Sequence, residues 1–319
     1  MDFPYANLLS LVSVATRHPE SEILLFVVDE APRVVWFDLA RLLPNVSVLI
    51  RSAETIFQDL PEHLQGCARV YSALSSQSLA ARSNILRYAL LYLFGGIYLD
   101  FDVLLIHDLN NLLANRAFIG EELVWADDEN RLRGQKSLFL LPRNILWAGS
   151  QVLSRLDSYL FGGQLGTARI LSKQSHRWSK TQANNAVIGS VPRGKFVEAL
   201  LIGVTAADVA VRYDTGPHLV DRISGAMSLE VLRLPPQYFY EIPPGQSFRL
   251  FHDLNLRLSE DSVLIHYVAS NHREFVSKFS GRRHSLYRRG SLISKEINRL
   301  EIIIQEATAS VFSGARHAK

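Results

Sequence analysis

The chain has 319 residues, 48% of them hydrophobic, so it can bury one large core or a core with an appended helical subdomain. Its formal net charge of +3 is too small for the broad basic surface of a dedicated nucleic-acid-binding protein, so no nucleic-acid partner is expected. Cys67 is the only cysteine, which excludes an intrachain disulfide and favours a reducing compartment.

Targeting signals are not recognisable in the sequence. The first residues lack a basic region followed by an apolar core and a small-residue cleavage site. The longest apolar run, residues 85–106, contains Arg87, Asp100 and Asp102, so we do not interpret it as a membrane span. We therefore expect a cytoplasmic protein, with peripheral attachment to the inner membrane face as a second option.

The N-terminal part alternates helix and strand patterns. Helices are predicted for residues 6–18 and 34–43, and strands for residues 23–28 and 46–50. The first strand, ILLFVV, is continuously apolar, which is typical of a parallel strand covered on both faces. This alternation predicts an open α/β sheet, in which ligands usually bind beyond the carboxyl ends of the strands.

Residues 78–109 contain the most informative pattern. Four leucines recur near the helical period and predict a helix over residues 78–93: Leu79, Leu86, Leu90 and Leu93. Gly95 and Gly96 should end this helix, because glycine accepts a left-handed conformation. An apolar strand at residues 97–99 follows, and Asp100 and Asp102 come directly after it.

Distances along the helix and strand predict a contact. Arg87 lies about 12 Å along the helix from the glycine turn, at about 1.5 Å per residue. Asp100 lies about 13 Å along the strand, at about 3.3 Å per residue. We therefore expect the two side chains to meet, with Asn84 on the same helix face as Arg87.

Two buried acids that flank one residue repel each other and favour a bound cation. Carboxylate oxygens with open positions suit Mn²⁺ or Mg²⁺. An isolated D-x-D motif is more often a strand-end cap or a surface feature. Residues 99–102 also suit the aspartyl nucleophile and acid of a haloacid-dehalogenase-type phosphatase, although that motif usually lies near the chain start.

The same stretch resembles the D-x-D glycosyltransferases of the sugar-binding-region family, family 32. That family is similar to α-1,4-galactosyltransferases and, more distantly, to the large glucosylating bacterial toxins. The chain matches the family pattern at ten positions: Ala81, Ser83, Arg87, Leu91, Gly95, Gly96, Tyr98, Leu99, Asp100 and Asp102. Asn84 stands where the family usually has Asp, and an amide there is expected to alter donor choice or lower activity.

Two later segments also resemble family blocks. In residues 182–202, Asn184 or Asn185 would face the donor sugar, because an amide both donates and accepts hydrogen bonds; they could equally be turn residues before a strand. In residues 215–219, TGPHL, the loop around Gly216 could point backbone amides at phosphate or acceptor, or could only begin a helix.

A third block, residues 234–243, leads to an apolar strand at residues 263–265 that ends at His266. Related enzymes often place a metal-binding histidine at this point, whereas a histidine at a strand end taken alone is more often structural. Asn271 would follow on a loop that could close over the diphosphate. The family usually opens with a strand that carries a Trp stacking on the nucleotide base. Here either Phe3 and Tyr5 form a shortened strand, or base binding is supplied differently.

The resemblance implies a GT-A type nucleotide-diphospho-sugar transferase fold, with an open mixed sheet flanked by helices. This catalytic domain would occupy residues 1–280, with an insertion on the acceptor side at 121–180. Residues 281–319 would form a basic helical extension. Its arginines and amphipathic helix, residues 282–304, could attach to an anionic membrane, but an ordinary solvated turn and packing helix is the favoured interpretation.

The resemblance also implies a metal-dependent hexosyltransferase. It would move a hexose or N-acetylhexosamine from a nucleotide-diphosphate sugar to a hydroxyl of a glycan, lipid-linked sugar or protein, with retention; a UDP-sugar is the favoured donor and a GDP-sugar the second option. Asp102, Asp100 and His266 would hold Mn²⁺ or Mg²⁺, and Arg87 and Asn84 would orient the sugar, with Ser83 and Tyr98 beside them. A catalytically weak nucleotide-sugar-binding protein is the alternative from a non-enzyme class.

Overall fold

The computed structural model describes residues 3–125, 141–167, 170, 179–209, 211, 213–278 and 287–317. Much of the expected insertion, at residues 126–140 and 171–178, therefore lies outside the described residues. Arg282 and Arg283 of the expected basic cluster also lie outside them.

The described chain is a mixture of helices and strands, which confirms the α/β class. The α-helices are α1 Tyr5–Arg17, α2 Val35–Ala40, α3 Ala53–Gln58, α4 Gly66–Ala73, α5 Leu79–Phe94, α6 Leu141–Leu156, α7 Lys195–Val204, α8 Pro217–Ala226, α9 Pro236–Phe239, α10 Arg249–His252, α11 Arg273–Lys278 and α12 Leu292–His317. The strands are β1 Ile23–Val28, β2 Val46–Arg51, β3 Gly96–Leu99, β4 Val103–Leu105, β5 Ala117–Trp125, β6 Ser179–Ser190, β7 Leu232–Leu234 and β8 Leu264–His266.

Three sheets form the scaffold in the described part of the chain. β1 and β2 pair in parallel, as the unbroken apolar run of β1 predicts. The largest sheet has the order β3-β6-β5-β7, with antiparallel pairs around β6 and a parallel pair between β5 and β7. β4 and β8 form an antiparallel pair of their own.

The helix that precedes the two aspartates ends where the double glycine predicts. Gly95 and Gly96 adopt φ values of +65° and +88°, and the amide of Gly95 donates to the carbonyl of Leu91. A side chain at Gly95 would also collide with Pro192, because a Cβ there would lie 2.5 Å from the proline ring. The turn therefore requires glycine at Gly95 for both its conformation and its close packing.

After this turn the chain changes sheets at the aspartates. The amide of Asp100 donates to the carbonyl of Ala186 in β6, whereas the carbonyl of Asp102 accepts from Tyr267, just after β8. The bend between β3 and β4 thus lies at residues 100–102. It places both carboxylates where the two sheets separate, whereas in one straight strand positions 100 and 102 would share a face.

Three apolar cores hold these layers together. The first packs α3, α4, α5, α7 and α8 against the largest sheet, and it contains Cys67, which is fully buried. The second joins α1 and α2 to β1 and to the C-terminal helices. The third lies beneath β4, β5 and β6, around Phe118, Val187 and Tyr240.

The C-terminal helix uses its apolar face inside the protein. Ile293, Ile297 and Leu300 of α12 are fully buried in the second core. This confirms the packing-helix interpretation and leaves that face unavailable for attachment to a membrane. Among the described helices, none is both long enough and apolar enough to span a bilayer.

Phe3 and Tyr5 do not form a shortened strand. Phe3 packs edge-on against Phe37 and Phe101, with ring centroids 5.5 and 5.7 Å away. Tyr5 is already the first residue of α1. The expectation that these residues replace the family's opening strand is therefore wrong, because both rings are used in core packing.

Candidate active site

Arg87 lies at the centre of the candidate site. It projects from α5, is 4% exposed, and donates from Nη2 to Oδ1 of Asp100 at 2.8 Å. Nη1 donates to the backbone carbonyl of Asn185, and the guanidinium lies 4.2 Å from the centroid of the Tyr98 ring. The expected meeting of Arg87 and Asp100 is therefore observed.

Tyr98 and Ser83 extend this cluster. The Tyr98 hydroxyl donates to Oδ1 of Asp100 at 2.8 Å, and Ser83 hydrogen bonds to Tyr98. Burial raises the pKa of Tyr98, so its hydroxyl keeps its proton. Asp100 thus receives two hydrogen bonds on one oxygen, and neither of them uses Oδ2.

Asp102 faces the opposite side of the bend. Its Oδ1 lies 3.4 Å from Nε2 of His266, and its Oδ2 accepts from the amide of Ala269 at 3.0 Å. Val268, the residue before Ala269, adopts φ +52°, which is costly for a β-branched side chain. This left-handed residue turns the chain so that the Ala269 amide points at Asp102.

The two aspartates have opposite electrostatic environments. Burial raises the pKa of Asp100, although the Arg87 guanidinium opposes this shift. Burial acts on Asp102 in the same direction, but His266 and the Ala269 amide outweigh it and lower the pKa of Asp102. The pKa of His266 would fall on burial, but Asp102 raises it above its usual value. Asp102 and His266 therefore favour a charged pair.

The asparagines come together through an irregularity in β6. Ile119 and Gly120 are adjacent in β5, but their partners are Ile188 and Asn184, so residues 185–187 bulge out of this pairing. Nδ2 of Asn185 donates to Oδ1 of Asn84 at 2.8 Å, and Oδ1 of Asn184 accepts from the Ala186 amide at 2.7 Å. The bulge thus brings the β6 asparagines to the α5 face that carries Arg87.

Gly216 belongs to the same cluster. A Cβ at this position would lie 2.6 Å from Nδ2 of Asn84 and 3.2 Å from Nδ2 of Asn185. The preceding residue, Thr215, accepts a hydrogen bond from the Tyr88 hydroxyl at 3.1 Å, which fixes the loop on α5. Gly216 then begins α8, with Pro217 at its first position.

Asn271 is not part of this cluster. It lies on the 3₁₀ turn Ala269–Asn271, is exposed, and donates from Nδ2 to the carbonyl of Pro244 at 3.0 Å. The same turn reaches the site through Ala269. A role for Asn271 toward the diphosphate stays a prediction.

Two further residues of the site were not predicted. Glu122 of β5 is 7% exposed and hydrogen bonds to Asn184, and burial raises its pKa. Tyr240 packs its ring edge-on against His266, with centroids 5.3 Å apart, and its hydroxyl accepts from the Val187 amide at 3.1 Å. An acid within the largely apolar run AFIGEELVW was the available signal for Glu122.

The donor atoms at the bend suit a divalent ion, although they are not assembled as a complete shell. Among the residues that the structure describes, no group of three or more His, Cys, Asp or Glu side chains has the arrangement of a metal site. Asp102 and His266 are adjacent, whereas Asp100 is turned toward Arg87. A carboxylate beside an imidazole could exchange the shared proton for Mn²⁺, whose ligand preferences include carboxylate oxygen.

Comparisons with known proteins agree with this site. Residues 10–119 match the family model described as "Glycosyltransferase sugar-binding region containing DXD motif". Over 113 residues, the chain is 34% identical to lactosylceramide 4-alpha-galactosyltransferase of Pan troglodytes. This alignment covers 32% of the present chain and 31% of the relative. The Homo sapiens enzyme of the same name is 33% identical over 113 residues, covering 32% and 31%.

The match thus spans about a third of the length of these curated relatives. Among solved structures, the PaToxG Glycosyltransferase superposes with a TM-score of 0.41 and 12% identity, over 71% of this chain and 65% of that one. The matched segment contains Arg87, Asp100 and Asp102. Over residues 10–119 the chain is therefore similar to glycosyltransferase sugar-binding regions containing a DXD motif.

Proposed function

We propose that this chain is a metal-dependent glycosyltransferase of GT-A type. It would move a hexose or N-acetylhexosamine from a nucleotide-diphosphate sugar to a hydroxyl acceptor, with retention of configuration. The observation that carries the proposal is the partly buried convergence of Arg87, Asp100, Asp102 and His266 at the bend between β3 and β4. Three of these four residues lie in the family region.

The diphosphate end of the site would be built on Asp102 and His266. Both are held in place, Asp102 by the Ala269 amide and His266 by the edge of the Tyr240 ring. Their oxygen and nitrogen donors would hold Mn²⁺ or Mg²⁺, which when bound offsets the charge that builds on the departing diphosphate. Asp100, with its Oδ2 free of the bonds to Arg87 and Tyr98, would contact the ribose or a metal-bound water.

The sugar end would be built on the amides of Asn84, Asn184 and Asn185. All three residues are buried, and the amides of Asn84 and Asn185 lie beside Gly216. An amide can both donate to and accept from a hydroxyl. Arg87 is already bonded to Asp100 and to the Asn185 carbonyl, so it would act on the sugar chiefly by holding these two residues in position.

Donor and acceptor are proposed only by class. UDP-sugars are favoured and GDP-sugars are second. The acceptor would be a glycan, a lipid-linked sugar or a protein; the matched relatives are named for transfer of galactose to lactosylceramide. A cytoplasmic location is also a proposal, and it rests on the single cysteine. The phosphatase alternative has no support, since the family region is that of glycosyltransferases.

The direct test is hydrolysis of UDP- and GDP-sugars with and without Mn²⁺. We expect turnover by the wild type to require the ion, and Asp102→Asn to lower kcat by about 100-fold or more, because charge on the leaving group is no longer offset. Asp108→Asn is the matched control, since this carboxylate is exposed and accepts from the Asn110 amide. Equal turnover by wild type and Asp102→Asn would contradict the proposal.

A second outcome of the same experiment addresses the non-enzymatic alternative. Wild-type protein that binds a nucleotide sugar tightly but turns over none of the donors, with any of the three acceptor classes, would indicate a binding protein descended from a transferase.

A further inference from the structure

Glu122 is a buried carboxylate to which neither the D-x-D motif nor the family resemblance assigns a role. It lies in β5 opposite Gln182, and only 7% of its surface is exposed. Its Oε2 atom has no hydrogen-bond partner in the part of the chain that the structure describes. Among the described residues, no Lys or Arg forms an ion pair with it.

The neighbouring acid on the same strand has a different environment. Glu121 accepts from Nε of Arg233 at 2.7 Å, and the same guanidinium pairs with Asp221 at 2.7 Å. Successive side chains of a strand point to opposite faces, so this cation neutralises Glu121 and not Glu122. The strand thus carries one paired acid and one unpaired acid.

Native proteins rarely keep a buried carboxylate oxygen without a hydrogen-bond partner. Burial of a carboxylate oxygen without a partner is unfavourable, so such an atom in a native protein calls for an explanation. A glutamine has nearly the same shape and would avoid the buried charge. The carboxylate at position 122 therefore suggests that its negative charge itself is used.

Glu122 is close to both ends of the candidate site. Asn184 hydrogen bonds to it, and its charge acts on His266 and Tyr240. β5 also approaches Tyr240 at Gly120, where a Cβ would lie 2.7 Å from the tyrosine ring. The position is therefore beside the sugar amides and beside the pair expected to face the diphosphate.

We infer that Glu122 is a catalytic residue whose carboxylate contacts the donor sugar and stabilises the positive charge that develops on it during transfer. This inference rests on the proposed glycosyltransferase function and deepens it. The bond between the anomeric carbon and the diphosphate oxygen breaks, and its electron pair leaves with the diphosphate. The acceptor oxygen bonds to the same carbon and loses its proton to the departing diphosphate. Glu122 forms no covalent bond.

The test compares Glu122→Gln with Glu121→Gln, a matched change one residue away. Three quantities are measured for each protein: kcat for donor hydrolysis at saturating Mn²⁺, the Kd of the donor by calorimetry, and the Tm without ligand. For Glu122→Gln we expect kcat to fall by about 100-fold or more, with Kd within about threefold of wild type. Its Tm should be equal or higher, because an unpaired buried charge is removed. Glu121→Gln should keep kcat.

Glu122→Asp provides a second variant, since it keeps the charge but withdraws it by one methylene. We expect it to retain more turnover than Glu122→Gln. Lower turnover by Glu122→Asp than by Glu122→Gln would argue against a role for charge and would overturn the inference.

Four further results would overturn it. Wild-type kcat in Glu122→Gln would remove the catalytic role while leaving the proposed function intact. A Tm several degrees lower, together with lost turnover, would make Glu122 a structural residue. A raised Mn²⁺ requirement with normal kcat at saturating Mn²⁺ would make it a metal ligand. Wild-type protein that binds no nucleotide sugar would overturn the proposed function, and this inference with it.

Discussion

The amide of Asn84 would change which hydrogen bonds a donor sugar can form at this position. Oδ1 of Asn84 accepts from Asn185, and its Nδ2 faces Gly216. An aspartate, which the family usually has there, could accept the same bond from Asn185 but could not donate toward Gly216 or a ligand. A hydroxyl near Nδ2 would therefore act as an acceptor here. Asn84 is thus the residue where donor preference should depart from that of family members with aspartate.

Gly216 should not tolerate even one added methyl group. In Gly216→Ala the new Cβ would lie 2.6 Å from the Asn84 amide, so the amides must move or the loop must shift. We expect a loss of stability of about 1–3 kcal/mol, together with weaker donor binding. Denaturant unfolding and calorimetry with a nucleotide sugar would measure the two effects.

Gly149→Ala is the control for that substitution. Gly149 is exposed in α6, and a Cβ there would have no neighbour within 4 Å. Alanine favours a helix over glycine by about 0.5–1 kcal/mol, so this variant should be neutral or more stable. Similar stability and donor affinity in wild type and Gly216→Ala would show that the amide cluster is looser than described.

At the level of secondary structure, two irregularities build the site. The bend at residues 100–102 separates the aspartates, and the bulge at residues 185–187 delivers the asparagines. Apolar periodicity predicted the bounds of α1, β1, β2 and α5 closely, although the leucine stripe of α5 is not its buried face, since Leu79 is exposed. The spacing of apolar residues does not show where a bulge lies or which strand it faces. The Glu122 environment could therefore not be predicted, whereas the Arg87–Asp100 contact followed from helix and strand rise alone.

Helix α6 shows a second limit of pattern reasoning. Its outward side chains include the exposed Val152, Leu153 and Leu156, whereas Ser154 is buried. The following π-helical turn, Asp157–Phe161, buries Asp157, which accepts hydrogen bonds from the amides of Leu165 and Thr167. Polar groups thus face inward because they bond to a backbone turn, and a rule that apolar residues face the core would orient this helix wrongly.

Two histidines near α10 should make the fold sensitive to acid. His252 packs on Tyr159 and His272 on Phe251, with ring centroids 4.0 and 4.3 Å apart. Burial lowers the pKa of each to about 4, with Arg288 adding to the effect on His252 and His252 itself adding to that on His272. Both histidines therefore stay neutral in the folded protein at pH values where the unfolded chain is protonated.

The sign of this effect is fixed by proton uptake. The contribution of His252 and His272 to the free energy of unfolding is complete above about pH 6.5. It is lost as the pH falls toward about 4, because the unfolded state then binds more protons than the folded state. Partial exposure keeps each slope below the limit of about 1.4 kcal/mol per pH unit. Urea unfolding at several pH values should show a shallower fall for His252→Gln than for wild type. His107→Gln, an exposed control, should follow wild type; an unchanged slope in His252→Gln would contradict the assignment.

For the whole molecule, donor binding should be visible as increased stability. Asp102, His266 and the asparagines belong to different segments, so a ligand that contacts all of them links β4, β6 and β8. A ligand at about 100 times its Kd adds about 2.7 kcal/mol to the free energy of unfolding. We expect UDP-sugars with Mn²⁺ to raise Tm more than either alone, as measured by thermal shift. Chelation of the ion should reverse the increase, and the same Tm with and without Mn²⁺ would argue against a shared site.

The single cysteine allows the protein to be labelled with a fluorophore at one chosen position. Cys67 is fully buried in the first core, and burial raises the pKa of its thiol to about 11. Since the thiolate is the reactive form, we expect the folded wild type not to react with alkylating dyes. A cysteine introduced at exposed Ser270, on the turn that carries Ala269 to Asp102, would then be the only reactive thiol. A single fluorophore at this position could report movement of that turn in real time, with Ser270 as the one native residue that is replaced.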